Sequence, residues 1–249
     1  MKALRYIKDC IPTSVKHSLR LIYNRSQGLT TGSLSHQEIA KLVKKVDPTI
    51  LEIGCNDGSD TLALLNVMPN ARIYCFEPDP RAIAHFKRNL TGRLDRATLI
   101  EVAVSNQNGQ IEFHASSGGD RDEGWDQSGS IRRPKNHLRK HPWVKFDKII
   151  AVRTCRLDDW CTETGIEEVD YIWMDVQGAE GDVIKGATRT LEKTRFLYTE
   201  YSNHELYAGQ PSLKGLLAML PGFKIVAKYG RSGDGDVLLR NTKKIALGG

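Results

Sequence analysis

The sequence has no run of about 18 consecutive apolar residues, so it offers no segment able to span a bilayer. It has no Cys-x-x-Cys pair, which removes the usual ligand spacing of a structural zinc. Its five cysteines are odd in number and fall mostly in strand-like segments, which fits reduced thiols better than a disulfide framework. No Gly-Lys-Ser/Thr follows a glycine loop, so a Walker A nucleotide site is excluded. The Gly-x-Gly-x-x-Gly fingerprint of dinucleotide sites is missing as well. The N-terminus lacks a long apolar core followed by small residues, so no secretion signal is expected and the expected location is cytoplasmic. The net charge of +6 is mild for 249 residues; it permits an anionic partner without demanding one.

What is present is a regular alternation of short apolar runs and amphipathic segments, with 40% hydrophobic residues to supply a core. Strands are expected at 49–53, 73–76, 99–104, 109–114, 170–176 and 196–200, and a closing pair at 223–228 and 236–240. Helices are expected at 35–45, 61–67, 79–90, 181–191 and 212–220. Ser35 with Glu38 forms a capping-box signature, and Asp79-Pro80 opens another helix. Such alternation predicts a mostly parallel sheet covered on both faces, with one antiparallel strand contributed by the closing hairpin.

Two regions stand outside this rhythm. In residues 1–34, Leu4, Ile7, Ile11, Val15, Leu19 and Ile22 recur at helical spacing among basic residues, with a break at Pro12. This basic amphipathic extension either packs on the domain or meets an anionic membrane surface or a partner. Residues 115–148 are rich in Ser, Gly, Asp and basic residues, with Trp125 and Trp143. A stretch of that length without apparent structure reads as a lid or insertion loop in the domain spanning 35–249. Its tryptophans are candidates either to stack on a sugar or to pin the loop to the core.

The chemistry is concentrated at strand ends. Ile50-Leu51-Glu52-Ile53 breaks into Gly54-Cys55-Asn56-Asp57-Gly58, a turn in which Gly54 allows close backbone approach and Asn56 tolerates a left-handed conformation. The next strand ends in Glu77-Pro78, where a carboxylate can accept both hydroxyls of a ribose. Glu52, just before the turn, suits the ammonium of an amino-acid moiety. Together these features favour S-adenosylmethionine over a dinucleotide. Cofactor-binding candidates from the residues are Glu52, Gly54, Asn56, Asp57, Gly58, Glu77 and Pro78.

Four segments carry a more specific likeness: Leu51–Gly58, Cys75–Pro78, Val152–Trp160, and Val169–Glu180 followed by Val183-Ile184-Lys185-Gly186-Ala187. In these the chain resembles the FkbM-type methyltransferases, S-adenosylmethionine-dependent O-methyltransferases, from about Thr49 to Asn241. The resemblance implies a seven-stranded class I methyltransferase sheet of Rossmann-like form. It also implies Glu77 on the ribose and Ala103 and Val104 beside the adenine; Asp175, which closes its strand, is a further cofactor-binding candidate. Gln177 departs from the family's usual Glu, and Trp173 from a common Lys.

A sugar-type hydroxyl is a weak nucleophile, so a base or a metal ion should assist its deprotonation. Asp175, Glu180, Glu200 and His204 are the candidate polar ring around the acceptor, with His204 suited to proton transfer by its intrinsic pKa. Asp175 and Glu200 are also candidate ligands of a Mg²⁺ ion. Glu180 has a plainer role open to it, at a helix N-terminus, and Asp158 one as the cap of the helix after Leu157. The expected reaction is methylation of a hydroxyl, foremost on a sugar or glycan. A natural-product or carboxyl acceptor, and a non-catalytic scaffold in a glycan-assembly complex, remain as alternatives. Nucleic acid is not an expected partner, because Val176-Gln177-Gly178 follows the Asp175 strand where base-methylating enzymes carry a Pro-Pro-aromatic loop.

Overall fold

Strand β1 (Thr49–Ile53) shows why the sheet must be covered on both faces. Its residues point alternately to opposite sides. Leu51 and Ile53 enter one apolar cluster, and Ile50 enters the other. In the computed structural model, residues 33–118, 124–231 and 233–243 are described. The expected helix in residues 1–34 therefore lies outside the described residues, apart from its last two positions.

The remaining elements follow in order. Helix α1 (His36–Val43) precedes β1 and carries the full capping box between Ser35 and Glu38. After β1 come α2 (Ser59–Val67), β2 (Arg72–Phe76), α3 (Pro80–Asn89), β3 (Ala97–Ile100) and β4 (Ala103–Val104). Then come β5 (Gly109–Ser117), α4 (His137–Lys140), β6 (Lys145–Cys155), α5 (Leu157–Thr164) and β7 (Val169–Met174). The chain continues with α6 (Glu180–Gly186), α7 (Thr188–Glu192), β8 (Thr194–Ser202), α8 (Leu213–Met219), β9 (Phe223–Arg231) and β10 (Asp234–Asn241).

Seven strands form one sheet in the order β3-β2-β1-β7-β8-β10-β9. Strand β10 runs antiparallel to both β8 and β9, and the pairings from β3 through β8 are parallel. This is the class I methyltransferase arrangement, with a single reversed strand slotted in near one edge. One face is filled by Leu157 of α5, Val183 and Ile184 of α6, and Leu216 of α8. The other is filled by Ile39 of α1, Leu64 and Leu65 of α2, and Phe86 of α3.

Several expected boundaries shift for identifiable reasons. The expected strand at 99–104 divides into β3 and β4, which join different sheets. The expected helix at 181–191 breaks at Ala187 into α6 and α7. Asp158 does not cap its own helix, whose N-cap is Arg156. Its carboxylate instead accepts from the backbone N–H groups of Arg189 and Thr190 at the start of α7. Burial resists ionisation there, but these bonds prevail and hold the Asp158 pKa below its ordinary value.

Residues 115–148 are not structureless. A three-stranded sheet, β4-β6-β5, reaches into this stretch from both ends, and a bridge joins His114 to Ser130. Much of β6 is exposed, so it lacks the apolar alternation that would mark a strand in sequence.

Gly186, within the Val183–Ala187 motif, lies where α6 meets the loop after β4. A Cβ there would stand 2.0 Å from the Ser105 carbonyl oxygen. Overpacking of this kind costs about 1–3 kcal/mol. Gly186→Ala is expected to lower the melting temperature by several degrees in a thermal scan; an unchanged melting point would show that the two segments can separate freely.

Candidate functional site

Three strands end against one another at the glycine turn. Gly54 and Cys55 both donate their N–H groups to the Phe76 carbonyl, at 2.9 and 3.1 Å. The Asp175 N–H donates to the Ile53 carbonyl at 2.9 Å. Gly54 has φ +87°, and a Cβ there would lie 1.8 Å from the Asp175 carbonyl oxygen, so no side chain fits. Asn56 takes the left-handed conformation expected of it, with φ 44°.

The turn opens into a cavity of about 440 Å³. Of the cofactor candidates, Glu52, Gly54, Asn56, Asp57, Glu77, Pro78, Ala103, Val104 and Asp175 all line it. Gly58 does not: it caps α2 with φ 76° and packs against Phe86 and Leu90, where a Cβ would collide. The Glu77 carboxylate is held at both oxygens, Oε2 by the Asn56 N–H and Oε1 by the Asp79 N–H, each at 2.9 Å. Glu52 accepts a 2.5 Å bond from the Thr61 hydroxyl.

Asp175 and Glu200 meet at one wall of the cavity. The Gln177 side-chain amide donates to Asp175 Oδ1 at 2.8 Å and to Glu200 Oε2 at 3.3 Å. Its own carbonyl accepts from the Tyr207 hydroxyl at 3.1 Å. The departure from Glu at position 177 thus has a physical reason: a carboxylate there would press a third acid against two. The charge on Asp175, then burial, pushes Glu200 well above the carboxylate range. Burial also raises Asp175. Each carboxyl therefore resists ionisation beside the other.

Two expected members of the acceptor ring fall outside the cavity lining. Glu180 begins α6 and turns inward: it is 1% exposed, with Oε1 on the Gly178 N–H and Oε2 buried without a partner. His204 sits on the exposed loop after β8, its Nε2 at 4.0 Å from an Asp234 oxygen. A strand-end position fixes where a residue lies along the chain, but not which way its side chain turns.

The insertion supplies a residue that sequence reading missed. Asp126 lines the cavity and accepts from the Asn56 side-chain amide at 3.1 Å, while its Oδ2 is buried without a partner. No spacing rule connects it to Glu77, which lies on a different element far back in the chain. Trp125 also lines the cavity and packs edge-to-face on Trp143, with ring centres 4.8 Å apart. The insertion is tied down by Ser130 Oγ on the Gln177 carbonyl at 2.7 Å, Tyr207 on the Ser128 carbonyl at 2.8 Å, and Arg132 on Asp182.

The FkbM methyltransferase domain model matches residues 52–230. The chain belongs to this family. Over 243 residues it is 53% identical to the 2-O-methyltransferase NoeI of Sinorhizobium fredii, covering 98% of this chain and all of that protein. The AMB antimetabolite synthetase AmbE of Pseudomonas aeruginosa is 26% identical over 82% of this chain, which corresponds to 10% of that protein. Among solved structures, the Methanococcus jannaschii fibrillarin pre-rRNA processing protein covers 80% of this chain and 68% of its own, at TM-score 0.46 and 13% identity. The protein is thus an FkbM methyltransferase, and none of its described helices is long and apolar enough to cross a membrane.

Burial pushes Glu52 and Glu77 up to about 8 and Glu180 up to about 7. An acid raised in the folded state stabilises the fold below its unfolded pKa and loses that contribution as pH rises through the folded value. The ligand-free methyltransferase should therefore lose thermal stability between about pH 5 and 8, and Glu52→Gln should flatten that slope. A melting temperature constant over this range would contradict the burial of un-neutralised acids.

Proposed function

We propose that this methyltransferase transfers the methyl group of S-adenosylmethionine to a hydroxyl of a sugar or glycan. The observation that carries the reading is the composition of the cleft. Glu52, Asp57, Asp60, Glu77, Asp126, Asp175 and Glu200 line it, with no Lys or Arg among the described lining residues. Such a site favours a cation. S-adenosylmethionine is a sulfonium with an amino-acid ammonium, and when bound it supplies an electrophilic methyl carbon.

The residues fit that cofactor. Glu77 is fixed by two backbone N–H groups with its carboxylate facing the cleft, as an acceptor for a ribose diol. Glu52 and the Gly54 turn suit the amino-acid end. Asp126 adds a second acceptor on the insertion side. Asp175, at the cavity wall beside Glu200, is placed to take the proton of an incoming hydroxyl, and positioning does the rest of the work. The printed name of the Sinorhizobium relative, a 2-O-methyltransferase, supports a hydroxyl acceptor.

Mg²⁺ does not fit as a resident ion. Asp175 and Glu200 share a common amide donor from Gln177, the reverse of a pair arranged around a cation. Among the described residues no group of three or more His, Cys, Asp or Glu is placed to hold one. The same reading treats 35–249 as the catalytic domain and residues 115–148 as its cover over the cleft. Residues 1–34 form a basic extension, and the site of action is the cytoplasm or the membrane surface facing it.

Glu77→Ala is expected to weaken S-adenosylmethionine binding at least tenfold by calorimetry, since hydrogen bonds to a charged group contribute about 1.5–3 kcal/mol. Unchanged affinity would remove Glu77 from the cofactor site.

A further inference from the structure

A second cavity, of about 450 Å³, lies beside the first, between the start of α1 and the ends of β7, β8 and β10. Asp60, Trp173, Asp175 and Glu200 line both, so the two spaces meet at one wall. Its size falls within the roughly 300–1,000 Å³ of small-molecule sites. The cofactor candidates of the first cavity, apart from Asp175, do not reach it.

The chemistry of its lining is distinct. Trp173 is partly exposed, with His36 stacked against it at 5.6 Å and Tyr198 packed edge-on at 5.3 Å. His36 is held in place by a 2.9 Å bond between its Nε2 and Asp60 Oδ1. Asp236 lines this cavity and not the first, and it interacts with the Tyr198 hydroxyl. No Lys or Arg is among the described lining residues.

We propose that this second cavity is the acceptor site and that it takes a pyranose that carries no anionic group. Trp173 is the apolar platform for the ring's C–H face. Asp236 and Glu200 hydrogen-bond its hydroxyls, and one hydroxyl is presented to Asp175 at the shared wall. In the transfer the acceptor oxygen forms a bond to the methyl carbon as the carbon–sulfur bond breaks. The bonding pair stays on sulfur, giving a neutral thioether, and the hydroxyl proton passes to the Asp175 carboxylate. Aromatic surface beside hydroxyl-binding side chains suits a sugar, whose ring is apolar on one face and polar at its rim. Phosphate and carboxylate groups are disfavoured, because they would enter among acids with no Lys or Arg among the described lining residues to pair them. A sugar bearing a nucleotide or lipid carrier must leave the carrier's phosphates outside.

This assignment rests on the methyl-transfer reading above, and the test separates the two. The full-length protein, saturated with S-adenosylhomocysteine, is titrated with the methyl pyranosides of glucose, mannose, galactose and rhamnose. It is titrated in parallel with the anionic glucuronic acid and glucose 6-phosphate, and binding is read by saturation-transfer NMR. The expected result is binding of at least one neutral glycoside ten-fold or more tightly than either anionic sugar. Asp236→Asn should weaken that binding at least five-fold while leaving S-adenosylmethionine affinity unchanged, and Trp173→Phe should retain part of what Trp173→Ala loses. Equal or tighter binding of an anionic sugar, no neutral binding, or neutral binding unaffected by Asp236→Asn would overturn the acceptor assignment alone. Failure of the protein to bind S-adenosylmethionine or S-adenosylhomocysteine would instead overturn the methyl-transfer reading.

Discussion

Seven carboxyl groups converge on one cleft with no Lys or Arg among its described lining residues, and the rest of the molecule is arranged around that constraint. Desolvation makes the charges on the buried members, Glu52 and Glu77 among them, costly. The fold meets the cost locally. Thr61 donates to Glu52, two backbone N–H groups hold Glu77, and the Gln177 amide bridges Asp175 and Glu200. What remains unpaid is the surplus negative charge, which a cationic ligand would neutralise. S-adenosylmethionine, with a sulfonium and an ammonium as positive centres, suits such a site electrostatically.

The backbone makes this convergence possible. The β1 turn touches the end of β7 so closely that only glycine fits at position 54. The N–H groups of Gly54 and Cys55 both turn to the end of β2, and the Asp175 N–H turns to the end of β1. Three acids on three strands are thereby held in fixed relation by main-chain bonds rather than by ion pairs. Basic partners are used elsewhere: Lys45 and Arg195 pair with Asp170 at the opposite end of β7, and Arg132 pairs with Asp182 at the insertion's latch. These basic partners lie away from the cleft lining.

Much of this was legible in sequence because it is local. The Gly54 turn, the Asn56 conformation and the strand ending in Glu77 are short-range patterns, and all three lie where the spacing put them. The sheet with its one reversed strand followed from alternation and the closing hairpin. The Val152–Trp160 motif acquires a reason only in three dimensions, with Trp160 edge-on to Tyr74 and Phe76. Asp126 and Asp236 were not legible. Each reaches its cavity by tertiary contact from an element whose sequence carries no ligand pattern. Glu180 and His204 illustrate the converse. Both follow strand ends, yet one turns into the core and the other toward solvent, a choice made by packing that periodicity does not encode.

The central claim is that a positively charged methyl donor satisfies acids that burial keeps partly protonated. It is tested most directly by calorimetry of S-adenosylmethionine binding near neutral pH in buffers of different ionisation enthalpy. Because burial raises the pKa values of Glu52, Glu77 and Asp175, and the Asp175 charge raises that of Glu200, binding should release protons, and the observed enthalpy should shift systematically with the buffer. Tight binding with no buffer dependence would contradict the account.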